Sequence, residues 1–193
     1  MTCVVGLDTS ITGTGVAVVR TAGITGDPVA YTDVVRSTGR ASDPLPVRSR
    51  RMLTMRNRIM ANLPDEHIDL LVIEGLSFGH NQPGQDRLHH LWWLVIGALG
   101  QARPDTHITV VPPSTAKKAV TDKGNADKRT MRAAVERWWP QTGIDDYNAA
   151  DALALASLGA VHMRVPVPFP IQEHTRLALA KLDLPARPER ATT

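Results

Sequence analysis

The stretch Cys3-Val-Val-Gly-Leu-Asp8-Thr-Ser-Ile-Thr-Gly13-Thr-Gly15-Val-Ala-Val-Val19 decides the fold. A short apolar run breaks at a carboxylate, a small-residue turn follows from Thr9 to Gly15, and a second run rich in β-branched residues begins. This is the pattern of strand, turn, strand. Asp8 ends the first strand, at the mouth of a sheet. A charge there is costly unless it is paired or holds a metal. Asp8 is therefore read as the first ligand of a metal site to which later carboxylates are brought.

Working outward, Pro28 to Arg36 has the composition of a third strand, with Gly26-Asp27 as the turn before it. Met52, Met55, Ile59, Met60 and Leu63 recur at helical spacing, so 47–63 reads as a helix stopped by Pro64. The clearest buried strand is 68–74: Leu70 to Ile73 is continuously apolar and, like the first strand, it ends on a carboxylate, Glu74. A glycine-rich loop, 75–85, contains Phe78. A strongly apolar helix is expected over 86–102 and a further strand over 106–111. Helices follow over 114–120, over 126–139 with Met131, Ala134, Val135 and Trp138 inward, and over 148–163. The order predicts an α/β domain: an antiparallel meander extended by parallel strands through crossover helices. After Arg164, Pro166, Pro168 and Pro170 give a stiff link to a short helix within 172–182 and a frayed end. Residues 1–164 read as one domain and 165–193 as a Pro-rich extension.

The chain of 193 residues is long enough to bury a real core. The single cysteine, Cys3, excludes an intramolecular disulfide and fits a reducing, cytoplasmic location. No apolar stretch has the length of a membrane span, and no signal peptide is expected. The formal charge of +3 is uneven: five arginines and no acid lie between Pro44 and Pro64, and seven basic residues face three acids between Pro112 and Arg137. The rest of the chain is correspondingly acidic. A basic surface beside an acidic centre suits a polyanion held near a metal. Solvated arginine and lysine faces of ordinary helices would give the same counts.

Three carboxylates stand out by context. Asp8 and Glu74 end apolar strands, and Asp151 sits in the small-residue helix 148–163. Each alone is readable as a strand-end or helix-cap charge. Together they form a hard-oxygen ligand set suited to Mg²⁺ or Mn²⁺. Two such ions about 4 Å apart activate water and stabilise the leaving oxygen in phosphodiester cleavage.

With these pieces in place, the sequence resembles the RuvC family of Holliday-junction resolvases, within the ribonuclease H-like fold. The resemblance rests on Gly6-Leu-Asp8-Thr-Ser-Ile-Thr-Gly-Thr-Gly15, on Val72-Ile-Glu74, on Pro113-Ser-Thr-Ala-Lys117 through Gly124-Asn-Ala-Asp-Lys128, and on Asn148-Ala-Ala-Asp151. It implies a mixed five-stranded sheet flanked by helices. It implies a homodimeric, metal-dependent endonuclease that nicks four-way DNA junctions symmetrically, with Mg²⁺ or Mn²⁺, two ions per site. It makes Asp8, Glu74 and Asp151 metal ligands and places Lys117 and Lys128 beside the DNA backbone. It assigns the dimer interface to the helix 86–102.

This sequence departs from the family at two points. The position of a frequent fourth acid is Asn148, whose amide oxygen can ligate a cation without adding charge; Asp146 is a further candidate ligand. The family's wedge phenylalanine is matched by Phe78, one residue further from the glutamate than usual, either to stack on unpaired bases or to cover the core. Lys118, Lys123, Arg129 and Arg132, in the same basic segment, are read as DNA contacts. The extension is read as a clamp across a dimer or as a DNA-contacting arm. Two other functions compete: a looser branched-DNA or flap nuclease, and a protein that binds junctions without cutting. The first motif also resembles the phosphate loop of sugar kinases and actin-like ATPases, but those need two such domains.

Overall fold

The computed structural model describes residues 2–22, 26–76 and 85–186. A five-stranded sheet, in the order β3-β2-β1-β4-β5, forms from β1 (Cys3–Asp8), β2 (Gly13–Ala22), β3 (Asp27–Arg36), β4 (Leu70–Glu74) and β5 (His107–Val111). The first three strands make the antiparallel meander, and β4 and β5 add in parallel on the other side of β1. The mixed sheet is the one expected. The turn of the first hairpin is shorter than the sequence suggests, because Gly13 and Gly15 already pair within β2, Gly15 opposite Asp8.

Both faces of the central strands are covered, and side chains alternate between the two faces. Cys3, Val5, Leu7, Leu71 and Ile73 face one way, onto α1 (Leu45–Ala61) and α2 (Gln85–Ala102), meeting Met52, Met55, Ile59, Leu91, Trp92, Val95 and Leu99. Val4, Leu70 and Val72 face the other way, onto α5 (Tyr147–His162). Helix α1 starts two residues earlier than the sequence pattern suggests, because Pro46 is tolerated in a first turn whose N–H groups have no helical partner.

Helix α5 lies directly on the sheet. A Cβ at Gly6 would overlap the carbonyl of Ala152, and one at Gly15 would overlap the carbonyl of Asn148. The alanines on the helix side complete the close approach. Between β5 and α5 come α3 (Pro113–Thr121) and α4 (Lys128–Trp138), then a single 3-10 turn, Pro140–Thr142. The turn between α3 and α4 takes its left-handed residue at Asp122, not at Gly124.

The fully buried tryptophan is Trp139, whose indole donates to Ser157 at 2.8 Å, whereas Trp138 is half-buried and stacks on Phe169 at 4.1 Å between ring centroids. Trp139 lies just past the helix end, with φ −132° and ψ 63°, so the helical step that placed Trp138 inward no longer governs its neighbour. The described part of the extension, through residue 186, is not a free arm. It folds back, and α6 (Glu173–Leu179) packs on α3. There Thr175 donates to the Ala119 carbonyl at 2.8 Å, while Thr109 donates to the carbonyl of Asp183. No helix among the described residues is long and apolar enough to cross a membrane.

Candidate active site

The acids converge because of strand parity. Asp8 follows Val4 and Gly6 on the α5 side of β1. Glu74 follows Leu70 and Val72 on the same side of β4. The strands are parallel neighbours with Leu7 beside Ile73, so Asp8 and Glu74 emerge together at their carboxyl ends. This end is where open α/β sheets bind ligands. Asp151 comes from the first turns of α5, which the glycine contacts press against the same strands.

Asp8 is only 6% exposed, and Glu74 and Asp151 are half-buried. Burial pushes the Asp8 carboxyl well above its ordinary range, and the charges of Glu74 and Asp151 push it the same way. Asp8 and Glu74 share a hydrogen bond. Glu74 is also raised, by burial and by Asp151, and Asp151 is raised chiefly by burial. The ammonium groups of Lys117 and Lys128 oppose these shifts at both Glu74 and Asp151, and Lys128 does so at Asp8. Five of the residues singled out in the sequence thus form one electrostatic unit. Lys117 is half-buried on α3, and Lys128 is exposed at the first position of α4, where Asp127 caps the helix by accepting from the Thr130 N–H at 2.8 Å.

Among the described residues, no three His, Cys, Asp or Glu side chains stand as a preformed metal shell. The donor chemistry nevertheless fits a hard divalent cation: three carboxyl groups, mutually repelling and largely withdrawn from water, which a doubly charged ion would neutralise.

The remaining candidates lie around this centre. Asn148 donates its backbone N–H to Asp146 at 2.7 Å, and its side-chain amide lies against Gly13 at the hairpin edge. Asp146 is the cap of α5. Its carboxylate accepts from the Asn148 and Ala149 N–H groups and pairs with Arg36 at 2.9 Å. Burial would raise its pKa, but the Arg36 guanidinium and the two backbone donors outweigh it and hold the group below its usual range. Lys118 is paired with Asp122 at 2.8 Å, away from the acids. Lys123 lies in the α3–α4 turn and Arg129 is exposed on α4. Arg132 pairs with Glu136, donates to the Asp145 carbonyl and sits over the Tyr147 ring. Phe78 lies outside the described residues.

The sequence pattern missed one positioning residue. The indole N–H of Trp92 donates to the Glu74 carbonyl at 2.9 Å and so fixes the end of β4 from the opposite face. Its place in the apolar stripe of α2 signals burial but gives no sign of this bond.

The model of the family described as crossover junction endodeoxyribonuclease RuvC matches residues 4–158. The RuvC of Salinispora arenicola is 33% identical over 160 residues, covering 79% of this chain and 84% of that one. The RuvC of Sphingopyxis alaskensis is 27% identical over 161 residues, 83% of this chain and 98% of that one. Among solved structures, Thermus thermophilus RuvC superposes with a TM-score of 0.64 at 23% identity, covering 84% of this chain and 95% of that one. The same protein in complex with a Holliday junction substrate gives 0.65 at 19% identity, with 85% and 96% covered. The chain belongs to the RuvC family of crossover junction endodeoxyribonucleases.

Proposed function

We propose that this chain is a metal-dependent endodeoxyribonuclease that nicks four-way DNA junctions symmetrically as a cytoplasmic homodimer. The observation that carries the reading is the convergence of Asp8, Glu74 and Asp151 with Lys117 and Lys128 at the carboxyl ends of β1 and β4. Asp8, Glu74 and Asp151 are the residues that would hold Mg²⁺ or Mn²⁺, two ions per site, with Asn148 and Asp146 as further candidate oxygen donors. Divalent ions bound there supply an activated water and charge neutralisation for hydrolysis of a phosphodiester.

The protein's own part is positional. Close packing of α5 on the sheet holds Asp151 against the strand ends. Trp92 fixes Glu74. Lys117 and Lys128 approach the same point from α3 and α4, so an ammonium can hold a non-bridging phosphate oxygen beside the acids. The small residues after Asp8 leave room for a backbone phosphate to approach. Phe78 is the candidate wedge at the crossover, and Lys123 and Arg129 are exposed cations suited to the flanking backbone.

The test is a cleavage panel of four-way junction, flap, fork and linear duplex, with Mg²⁺ or Mn²⁺ and with chelator. Paired, metal-dependent nicks confined to the four-way junction are expected. Equal cutting of linear duplex would remove the junction selectivity, and junction binding without any nick would remove the catalysis.

A further inference from the structure

We infer that a second, arginine-lined groove between α1 and the end of β3 binds the phosphate backbone of a DNA arm leaving the active site. This rests on the nuclease reading above and names the surface by which the substrate is held at a distance from the chemistry. The groove encloses about 450 Å³ and is lined by Arg36, Arg50, Arg51 and Arg58, together with Ser37 and Thr38. No acidic side chain lines it.

The four guanidinium groups have different duties. Arg51 is a pin. It donates to the Ser37 hydroxyl at 2.7 Å and to the Ile11 carbonyl at 3.2 Å, tying the turn after Asp8 to the end of β3. Arg36 pairs with Asp146, the cap of α5. It also comes close to Gly13, where the Asn148 amide lies as well. Arg36 therefore joins the groove to the first turn of the helix that carries Asp151. Arg58 donates to the Arg36 carbonyl, and the ion pairs of the described residues include neither Arg58 nor Arg50. Both are exposed. Two cations in a groove without a lining acid must otherwise be balanced by counterions, which a polyanion displaces with a gain in entropy. The planar guanidinium fork matches phosphate oxygens. Arg50 and Arg58 reach the groove from one face of α1, about 80° apart around the helix axis. No aromatic side chain lines the groove, so nothing there stacks on a base; the ligand is backbone, read without sequence.

The test uses the full chain in chelator, so that no strand is cut, and measures anisotropy of a labelled four-way junction and of a linear duplex across a salt series. Arg50→Gln with Arg58→Gln is expected to weaken both affinities about five- to tenfold and to lower the slope of log affinity against log salt by about two. Arg50→Lys, which keeps the charge, recovers most of the loss at that position. Unchanged affinity and slope in the double variant overturn the groove. If the double variant melts lower than the unsubstituted chain, Arg50→Gln alone decides, with an expected slope change of about one. Junction cleavage by the unsubstituted chain is read separately. Its absence overturns the nuclease function, while the salt slope on duplex still decides the groove.

Discussion

Asp8 is a residue that the metal-free fold would be better without. Its carboxyl is buried, faces two further acids and is pushed well above the ordinary carboxylate range. In the unfolded chain it titrates normally, near pH 4. Between those two values the unfolded state has released a proton that the folded state keeps, so rising pH favours unfolding at this site. Asp8→Asn removes that penalty and retains a hydrogen-bonding partner for Glu74. Without metal, the variant is expected to melt about 2–4 °C higher than the parent at neutral pH, a gain of about 1 kcal/mol. The difference should shrink toward zero as the pH is lowered to 4. Junction nicking should fall by at least about a thousandfold, with junction affinity largely kept. Thermal melts in chelator across pH, beside the cleavage assay, check both halves; a variant that melts lower at every pH would make Asp8 a structural residue. Asp8 was legible in the sequence because an apolar strand ending on an acid is an anomaly. Asp146 was not, because its role depends on where α5 starts. As the cap it accepts two backbone N–H groups, which no spacing rule distinguishes from metal ligation. Asp146→Ala should cost about 1 kcal/mol in a denaturant titration and Asp146→Asn only a fraction of that, since asparagine caps as well as aspartate.

At the scale of elements, the site depends on how closely α5 lies on β1 and β2. The backbone carbonyls of Ala152 and Asn148 occupy the space where side chains of Gly6 and Gly15 would stand. Gly6→Ala must therefore lift the helix or bend the strand, and overpacking of this kind costs about 1–3 kcal/mol. The same movement carries Asp151 away from Asp8. Gly6→Ala is thus expected to lose nicking activity out of proportion to its loss of stability, measured at a temperature where circular dichroism shows it fully folded. A folded variant with parental activity would show that the acids tolerate displacement of the helix. The small-residue composition of α5 announced close packing in the sequence, and the meander extended by parallel strands followed from the β-branched and continuous apolar runs. What periodicity could not give was behaviour past a helix end, where Trp139 is buried more deeply than Trp138. Nor could it give a bond across the sheet such as Trp92 to Glu74.

The whole molecule extends beyond the segment that the family model matches. That match ends at residue 158, yet the chain from Val165 onward continues the core: Val165 and Phe169 are buried with the α4–α5 layer, and α6 covers α3. The prolines at 166, 168 and 170 suggested a stiff link to a short helix, because stiffness and extension are all that such a composition encodes. Phe169, set between two of them, changes the outcome. Its ring lies 4.1 Å from that of Trp138 in a parallel stack and edge-on to Trp139 at 6.0 Å. A stiff, pre-extended segment loses little entropy when one aromatic anchors it. The segment beyond then reaches α3, where Thr175 holds the Ala119 carbonyl two residues after Lys117. The extension is therefore a brace for the helix that carries a site lysine. Phe169→Ala should cost about 3–5 kcal/mol by the usual toll of removing a buried ring, seen as a lower denaturant midpoint. Phe169→Leu, which keeps much of the volume, should lose distinctly less. Below its melting temperature the alanine variant should also cleave junctions more slowly, because α3 loses its cover. A midpoint unchanged by Phe169→Ala would mean that the extension rests on the domain without stabilising it, and Lys117 would then owe its position to the packing of α3 on α4 and α5.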